Sequence, residues 1–282
     1  MAVALALLTS VAYGLSNYVG PRLARDAPLY LLLIVGQSCS LVLAAVVVAG
    51  QGVPLPAGED LRFALLAGLG NAGGLVFLYR AAEVGPLSVI MPIGALGAAV
   101  PVVVGLAGGD GLTVMKAAGM AMALGGVVLV ARQPVGGQAA VPAAAPQRRA
   151  VILAALSALC FGTFLAAMGP ASKDSAGWAV LVSRASLLVL LVAFAMRLGA
   201  LRGVTVRRLP LLTVPGLLLF TGTLAYAAAT REGDLSVVSV LGSLFPVVTV
   251  ALAVGLDRER LSATQALGVA GAIAGVVLLS AR

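Results

Sequence analysis

The chain has 282 residues, of which 61% are hydrophobic and only 10% are charged. Soluble domains carry roughly 25% charged residues, so this composition excludes a protein whose whole surface faces water. The net charge of +8 comes mainly from arginines between apolar segments, which indicates membrane orientation and not nucleic-acid binding. There is no histidine, and both Cys39 and Cys160 lie inside apolar runs. Neither a metal site nor a disulfide framework is therefore predicted.

In chain order, ten apolar segments are each long enough to cross a bilayer, whose hydrocarbon core is roughly 30 Å thick. They cover residues 1–20, 28–50, 62–80, 86–107, 112–131, 150–169, 177–197, 210–229, 235–256 and 262–280. The apolar runs are continuous and not alternating, which favours helices over a barrel. The first segment lacks a basic n-region and a cleavage site, so it is expected to be a helix and not a removable signal. The predicted fold is an all-α polytopic membrane protein with ten transmembrane helices.

The two halves of the sequence repeat each other. Gly85-Pro86-Leu87-Ser88-Val89 corresponds to Gly233-Asp234-Leu235-Ser236-Val237 at an offset of 148, and Gly126-Val127-Val128-Leu129 corresponds to Gly275-Val276-Val277-Leu278 at an offset of 149. Five helices per half is an odd number, so the second half must enter the membrane from the opposite side. We predict two inverted five-helix repeats, residues 1–131 and 150–282, joined by a flexible Pro/Ala/Gly linker at 132–149.

Four groups of residues carry a resemblance to a known family. They are Tyr13-Gly14; Tyr79 followed by Gly85-Pro86-Leu87-Ser88; Tyr226 followed by Gly233-Asp234-Leu235-Ser236; and Glu259-Arg260-Leu261-Ser262 with Gly268 and Gly275. Because these groups occur in this order and are duplicated, the chain resembles an EamA-type member of the drug/metabolite transporter superfamily. The resemblance covers nearly the whole length of the chain. It departs from the family at Asp110, where the family has a glutamate in the first repeat. The resemblance implies ten helices, transport of small metabolites, and a central cavity lined mainly by helices 1, 3, 4, 6, 8 and 9.

The chemistry that the sequence lacks narrows the function further. No carboxylate lies deep in a span, no phosphate-binding loop of the GxxxxGK[ST] kind occurs, and no catalytic cluster is evident. We therefore predict a secondary transporter or exporter, not an enzyme, that needs no cofactor and moves a small metabolite by alternating access between the repeats. A lipid-handling flippase or scramblase on the same fold is the alternative. The expected partners are a small-molecule substrate and the lipid bilayer, without nucleic acid. A homodimer is left open, and the expected location is a prokaryotic plasma membrane.

Polar side chains inside apolar spans are costly, so they usually face a cavity or a partner helix. The predicted substrate-binding residues are Tyr13, Asn17, Asn71, Tyr79, Arg80, Arg184, Tyr226, Ser239 and Ser243. For the serines, a hydrogen bond to their own helix backbone is the alternative. For Arg80 the preferred interpretation is an ion pair with Glu83, three residues along the same helix. For Arg184 it is a side chain that extends, or snorkels, to the nearer membrane face.

Three prolines lie inside predicted spans, where each removes a backbone hydrogen bond and kinks its helix. They are Pro92, Pro101 and Pro246. Pro101 and Pro246 are followed by two valines at roughly equivalent places in helices 4 and 9, at an offset of 145. Paired interruptions of this kind mark the binding site in transporters with inverted repeats. The alternative is a static kink that only shapes the packing.

Basic residues are unequally distributed between the two membrane sides. The loops that follow odd-numbered helices hold twelve of them, and the loops that follow even-numbered helices, with the C-terminus, hold five. Basic residues near short loops stay in the cytoplasm, so the odd loops are predicted to be cytoplasmic and both termini external. Better-known proteins that resemble this fold have both termini in the cytoplasm, so the two expectations conflict.

Overall fold

The computed structural model describes residues 1–24, 29–56, 58–85, 87–131, 147–197, 209–258 and 262–280. Ten helical spans in this part of the chain are long and apolar enough to cross a membrane, and no strand occurs in it. The helices are α1 Ala2–Ala24, α2 Leu29–Gln51, α3 Gly58–Val84, α4a Leu87–Ala95, α4b Ala99–Ala107, α5 Val114–Ala131, α6 Gln147–Ala171, α7 Ala176–Arg197, α8 Leu209–Glu232, α9a Leu235–Gly242, α9b Phe245–Asp257 and α10 Ala263–Ser280. Helix α6 thus includes the last three residues of the predicted linker, and 132–146 lie outside the described residues.

The fourth and ninth spans are each broken into two helices. A short 3₁₀ turn, Leu96–Ala98, separates α4a from α4b, and Ser243 and Leu244 separate α9a from α9b. A proline cannot donate to the carbonyl four residues before it and its ring clashes with that carbonyl. The residue at that position is Gly97 for Pro101 and Gly242 for Pro246, so both breaks lie where a proline removes the hydrogen bond. Pro92 lies inside α4a without interrupting it.

The packing of the helices follows a two-fold pattern. Helix α3 packs most extensively on α6, and α1 on α8; α4 packs on α6 and α9 on α1; α3 packs on α7 and α8 on α2. Within each pair, the first contact becomes the second when every helix n of the first half is exchanged with helix n + 5 of the second half. Because five helices per half is an odd number, a two-fold exchange reverses the direction of every helix. This arrangement is that of two inverted five-helix repeats.

These contacts divide eight of the helices into two bundles. The 1-2-8-9 bundle and the 3-4-6-7 bundle exchange under the two-fold operation, and each takes two helices from each sequence repeat. Helices α5 and α10 form a separate pair at the side. They approach so closely that a Cβ added to Gly126 would lie 2.5 Å from the carbonyl oxygen of Gly268. The bundles, and not the sequence repeats, are therefore the compact units of the fold.

The two membrane sides differ in how tightly the bundles meet. We call the side that carries Met1 and the end of α10 the termini side, and the opposite one, where α5 ends and α6 begins, the linker side. The largest apolar core joins both bundles in the termini-side half of the spans, with Ala6 and Val238 from one bundle and Met168 and Val180 from the other. Two smaller clusters occupy the linker side, and their buried residues all come from the 3-4-6-7 bundle. The other bundle adds only the partly buried Leu33 and Ile34 of α2 to one of them. The described conformation is closed at the termini side.

Candidate functional site

Arg184, the ninth residue of α7, is buried in the middle of the protein with 2% of its surface exposed. Its Nη1 donates to Oε1 of Gln37 at 2.8 Å, and its Nη2 donates to the hydroxyl of Thr223 and, at 3.2 Å, to the carbonyl oxygen of Leu219. The expectation that Arg184 snorkels to a membrane face is wrong, because acceptors on α2 and α8 hold the guanidinium inside the bundle.

The partner Gln37 occupies the position in the first repeat that Arg184 occupies in the second. The two residues are separated by 147 positions, and α2 and α7 exchange under the two-fold operation. Residues that are symmetry mates and touch each other must lie beside the symmetry axis. Arg184 and Gln37 therefore mark the pseudo-two-fold axis at the centre of the molecule, where the 1-2-8-9 bundle meets the 3-4-6-7 bundle. The repeat offset, applied to Arg184 in the sequence, identifies Gln37 directly.

The positive charge of Arg184 is not neutralised inside the described part of the chain. The ion pairs found there are Arg22–Asp257, Arg80–Glu83 and Lys116–Asp234, so none involves Arg184. Its Nε is buried without a hydrogen-bond acceptor. A buried cation without a counter-ion is costly in a membrane, and such residues are usually functional.

Tyr13 extends this polar centre towards the break in the ninth span. Its hydroxyl lies 2.8 Å from that of Thr223, which already accepts from Arg184. The ring meets the ring of Phe245, the first residue of α9b, edge-on at 6.4 Å. Gly222 makes room for it, since a Cβ there would lie 2.6 Å from the ring. Thr223 was absent from the predicted site residues, although it connects two of them.

Tyr226 and Ser239 form a second polar group nearer the termini side. Both are fully buried, and their hydroxyl oxygens lie 2.6 Å apart. The Tyr226 hydroxyl donates to the carbonyl oxygen of Leu165 on α6 at 3.0 Å, which connects the two bundles. Ser243 instead donates to the carbonyl oxygen of Val240 at 2.8 Å, so it makes the backbone bond that was the alternative to cavity binding.

The remaining predicted site residues lie elsewhere. Tyr79 and Arg80 lie at the linker side, where both line a narrow recess between α3 and α7, and Arg80 also lines a larger cavity between α3, α6 and α7. Arg80 pairs with Glu83 at 3.2 Å, which was the preferred interpretation. Asn17 is exposed and Asn71 is half-buried. Six of the nine predicted residues are thus divided between the centre (Tyr13 and Arg184), the termini side (Tyr226 and Ser239) and the linker side (Tyr79 and Arg80). The nine are not gathered around one space.

Polar contacts hold the bundles together at the termini side. The carboxylate of Asp110, just beyond α4b, accepts from the backbone N–H of Ser236 in the first turn of α9a at 2.8 Å. A carboxylate at a helix N-terminus is favourable, because the N–H groups there lack partners within the helix. A Cβ on Gly105 would collide with both groups, so this approach of α4 to α9 requires glycine. Lys116 at the start of α5 makes an ion pair with Asp234 at 2.6 Å, which joins the α5–α10 pair to the 1-2-8-9 bundle at the same side.

Two repeat-equivalent tyrosines also differ between the termini side and the linker side. Tyr79 and Tyr226 are 147 residues apart in corresponding helices, α3 and α8. Tyr226 is completely buried and hydrogen-bonded across the bundles, whereas Tyr79 is only half-buried at the opposite membrane side. One sequence position, present twice, therefore experiences two different environments.

Comparison with known proteins agrees with this architecture. One crystal structure of a protein superposes with a TM-score of 0.79 over 99% of this chain and 96% of the other, at 17% sequence identity. This likeness shows the fold alone. A comparison with curated proteins gives no match. Residues 148–281, which contain helices α7 to α10 and nearly all of α6, match the EamA-like transporter family. That family is part of the drug/metabolite transporter superfamily, and with its ten apolar spans the chain is an integral multi-pass membrane protein.

Proposed function

We propose that this protein is a secondary transporter that moves a small metabolite across the membrane by alternating access. The observation that carries the proposal is the one-sided closure of a two-fold fold. The bundles share a large buried core at the termini side. At the linker side the described residues share much less, since only the partly buried Leu33 and Ile34 of α2 pack on a small cluster of the other bundle. A fold with two-fold equivalent halves has a second conformation of similar packing, in which the two halves exchange roles.

The second conformation can be specified by the repeat. In the described conformation Tyr226 on α8 donates to the carbonyl of Leu165 on α6. The equivalents are Tyr79 on α3 and, at an offset of 148, Asn17 on α1. In the second conformation the Tyr79 hydroxyl donates to the backbone carbonyl at Asn17, the linker side is closed, and the Tyr226–Leu165 bond is broken.

The substrate site proposed here is the centre of the molecule, reached from the linker side. Tyr13 and Asn17 are four residues apart, so they share one face of α1, and Asn17 is exposed. Tyr13 contacts the break of the ninth span through Phe245. Arg184 acts as a positioning residue: it holds Thr223, the partner of Tyr13, from beside the symmetry axis. Groups beside the axis move least when the halves exchange roles, so this contact can persist in both conformations.

A cross-link between the bundles tests the proposal. Leu235 of α9a lies against Gly169 of α6, where a Cβ would be 3.2 Å from its side chain. Gly169→Cys and Leu235→Cys, made in a chain without Cys39 and Cys160, can be joined by a short thiol cross-linker. Substrates are first found by a thermal-shift screen of amino acids, nucleosides, sugars and amphipathic amines, since a ligand of the folded state raises its stability. Cross-linking is expected to abolish uptake of the hit into proteoliposomes, and reduction to restore it.

The chain offers a matched control within a single bundle. A Cβ at Gly73 on α3 would lie 3.6 Å from Cβ of the native Cys160 on α6, inside the range of roughly 3.5–4.5 Å that a disulfide spans. Gly73→Cys should therefore cross-link to Cys160 without affecting uptake. Undiminished uptake by the protein cross-linked between Gly169→Cys and Leu235→Cys would contradict alternating access between these bundles.

A further inference from the structure

A cavity at the linker side lies outside the proposed substrate route. Its volume is about 430 Å³, within the roughly 300–1,000 Å³ typical of ligand pockets. It is enclosed by α3, α6 and α7, all of the 3-4-6-7 bundle, and not by the contact between the bundles. We call it the lateral cavity; its lining residues are Val76, Phe77, Arg80, Glu83, Val84, Arg149, Leu153 and Phe194.

The position of the lateral cavity is that of a membrane interface. Arg80 and Glu83 lie in the last two turns of α3, Arg149 is the third residue of α6, and Phe194 is three residues before the end of α7. All three helices therefore reach the linker side at this level. Helices α6 and α7 touch each other only slightly, so the cavity opens between them towards the surrounding lipid.

The chemistry of the walls differs from that of the mouth. Val76, Phe77 and Leu153 are apolar and lie deeper in the span than the charged residues. At the mouth, Arg80 is engaged with Glu83 at 3.2 Å and with the ring of Phe194 at 5.7 Å. Arg149 has no ion-pair partner in the described part of the chain. The mouth therefore carries one uncompensated positive charge, at the N-terminus of α6, where the helix dipole also favours an anion.

We propose that the lateral cavity binds an anionic phospholipid, with the phosphate at Arg149 and an acyl chain along Val76, Phe77 and Leu153. Basic pockets between transmembrane helices suit lipid headgroups of this charge. A neutral lipid would leave Arg149 without a counter-ion, and a free phosphate would leave the apolar walls empty. The lipid is a resident of one bundle and not cargo of the transport route.

Lipid binding to the purified full-length chain tests this assignment. Phosphatidylglycerol is titrated in detergent, and the lipid-bound fraction is read by native mass spectrometry. Arg149→Gln should weaken binding about fivefold, the effect expected of one arginine near a membrane surface. The neighbouring Arg148→Gln should change it less than twofold, because Arg148, which is exposed like Arg149, does not line the cavity. Equal losses in the two variants would show nonspecific surface attraction and overturn the proposal.

Two further arms distinguish the sources of the ligand. Leu153→Trp fills the cavity without changing charge and should also lower phosphatidylglycerol binding, as should Val76→Trp if the first variant fails to fold. Inorganic phosphate at millimolar concentration should not displace the lipid. Displacement by phosphate, or full binding in a folded Trp variant, would mean that the apolar walls take no part. Flipping of fluorescent phosphatidylglycerol faster than in protein-free liposomes would make the lipid a cargo and overturn its resident role.

Discussion

Replacing Tyr226 by Phe should favour opening of the termini side. The substitution removes one hydrogen bond between the bundles, from the Tyr226 hydroxyl to the carbonyl of Leu165 at 3.0 Å. The contact with Ser239 lies within the 1-2-8-9 bundle, so losing it affects both conformations alike. Hydrogen bonds between membrane helices contribute about 0.6 kcal/mol on average and up to about 1.7 kcal/mol. The open population should therefore rise roughly 3-fold, and at most about 18-fold.

The change can be measured as a rate of cysteine alkylation. Ala229 is fully buried in the termini-side core, so Ala229→Cys in a chain without Cys39 and Cys160 reacts only when this side opens. If opening and closing are fast, the rate follows the open population, and Tyr226→Phe should raise it by the same factor. A rate unchanged in a variant of normal thermal stability would refute the reasoning.

The repeat supplies a matched control for the direction of the effect. Tyr79→Phe removes the same hydroxyl from the equivalent position, where it is proposed to stabilise closure of the linker side. The termini-open population should then fall, and alkylation of Ala229→Cys should become slower by a similar factor. Acceleration by both substitutions would indicate general loosening of the protein and not a two-state exchange.

Three further predictions concern the centre, the helix breaks and the orientation. Thr223→Val removes a hydrogen-bond partner of Arg184 and of Tyr13 and should lower the free energy of unfolding by about 1.5–3 kcal/mol. The control Thr221→Val should have little effect, because the Thr221 hydroxyl bonds only to its own helix. Equal losses of stability in the two variants would show that the central hydrogen bonds do not stabilise the fold. Pro246→Ala should impair uptake more than thermal stability, and parallel losses would support a static kink. In intact cells an impermeant thiol reagent should fail to label Ala140→Cys and Thr205→Cys, because the arginine-rich loops stay in the cytoplasm; labelling of both would show that the charge rule fails for this chain.

Much of the fold follows from the sequence, because its determinants are local. Continuous apolar runs predict the ten spans, and prolines at equivalent places predict where α4 and α9 are interrupted. The environment of Arg184 was not predictable in the same way. Its position in one span suggested that it reaches a membrane face. The repeat offset identifies Gln37 as its symmetry mate, but the contact between the two side chains and the second acceptor, Thr223 of α8, appear only when the helices are packed.

The sequence is also too symmetric to show which side is closed. Tyr79 and Tyr226 occur in equivalent contexts, so a repeat pattern assigns them equivalent environments. The structure makes one fully buried and the other half-buried, because it contains one of two conformations that the repeat allows. From the sequence alone, equivalent residues could therefore be assigned to corresponding helices. Which of them lie close together in this conformation could not be predicted.

Distances at both membrane sides test alternating access most directly. Spin labels at Lys173→Cys and Glu232→Cys report the separation of the bundles at the termini side, and labels at Ala82→Cys and Leu256→Cys report it at the linker side; all four native residues are exposed. Pulsed electron paramagnetic resonance in nanodiscs should give two distances for each pair. Conditions that populate the longer termini-side distance should populate the shorter linker-side distance to the same extent. A single distance at each side under all conditions, or both sides lengthening together, would contradict the account.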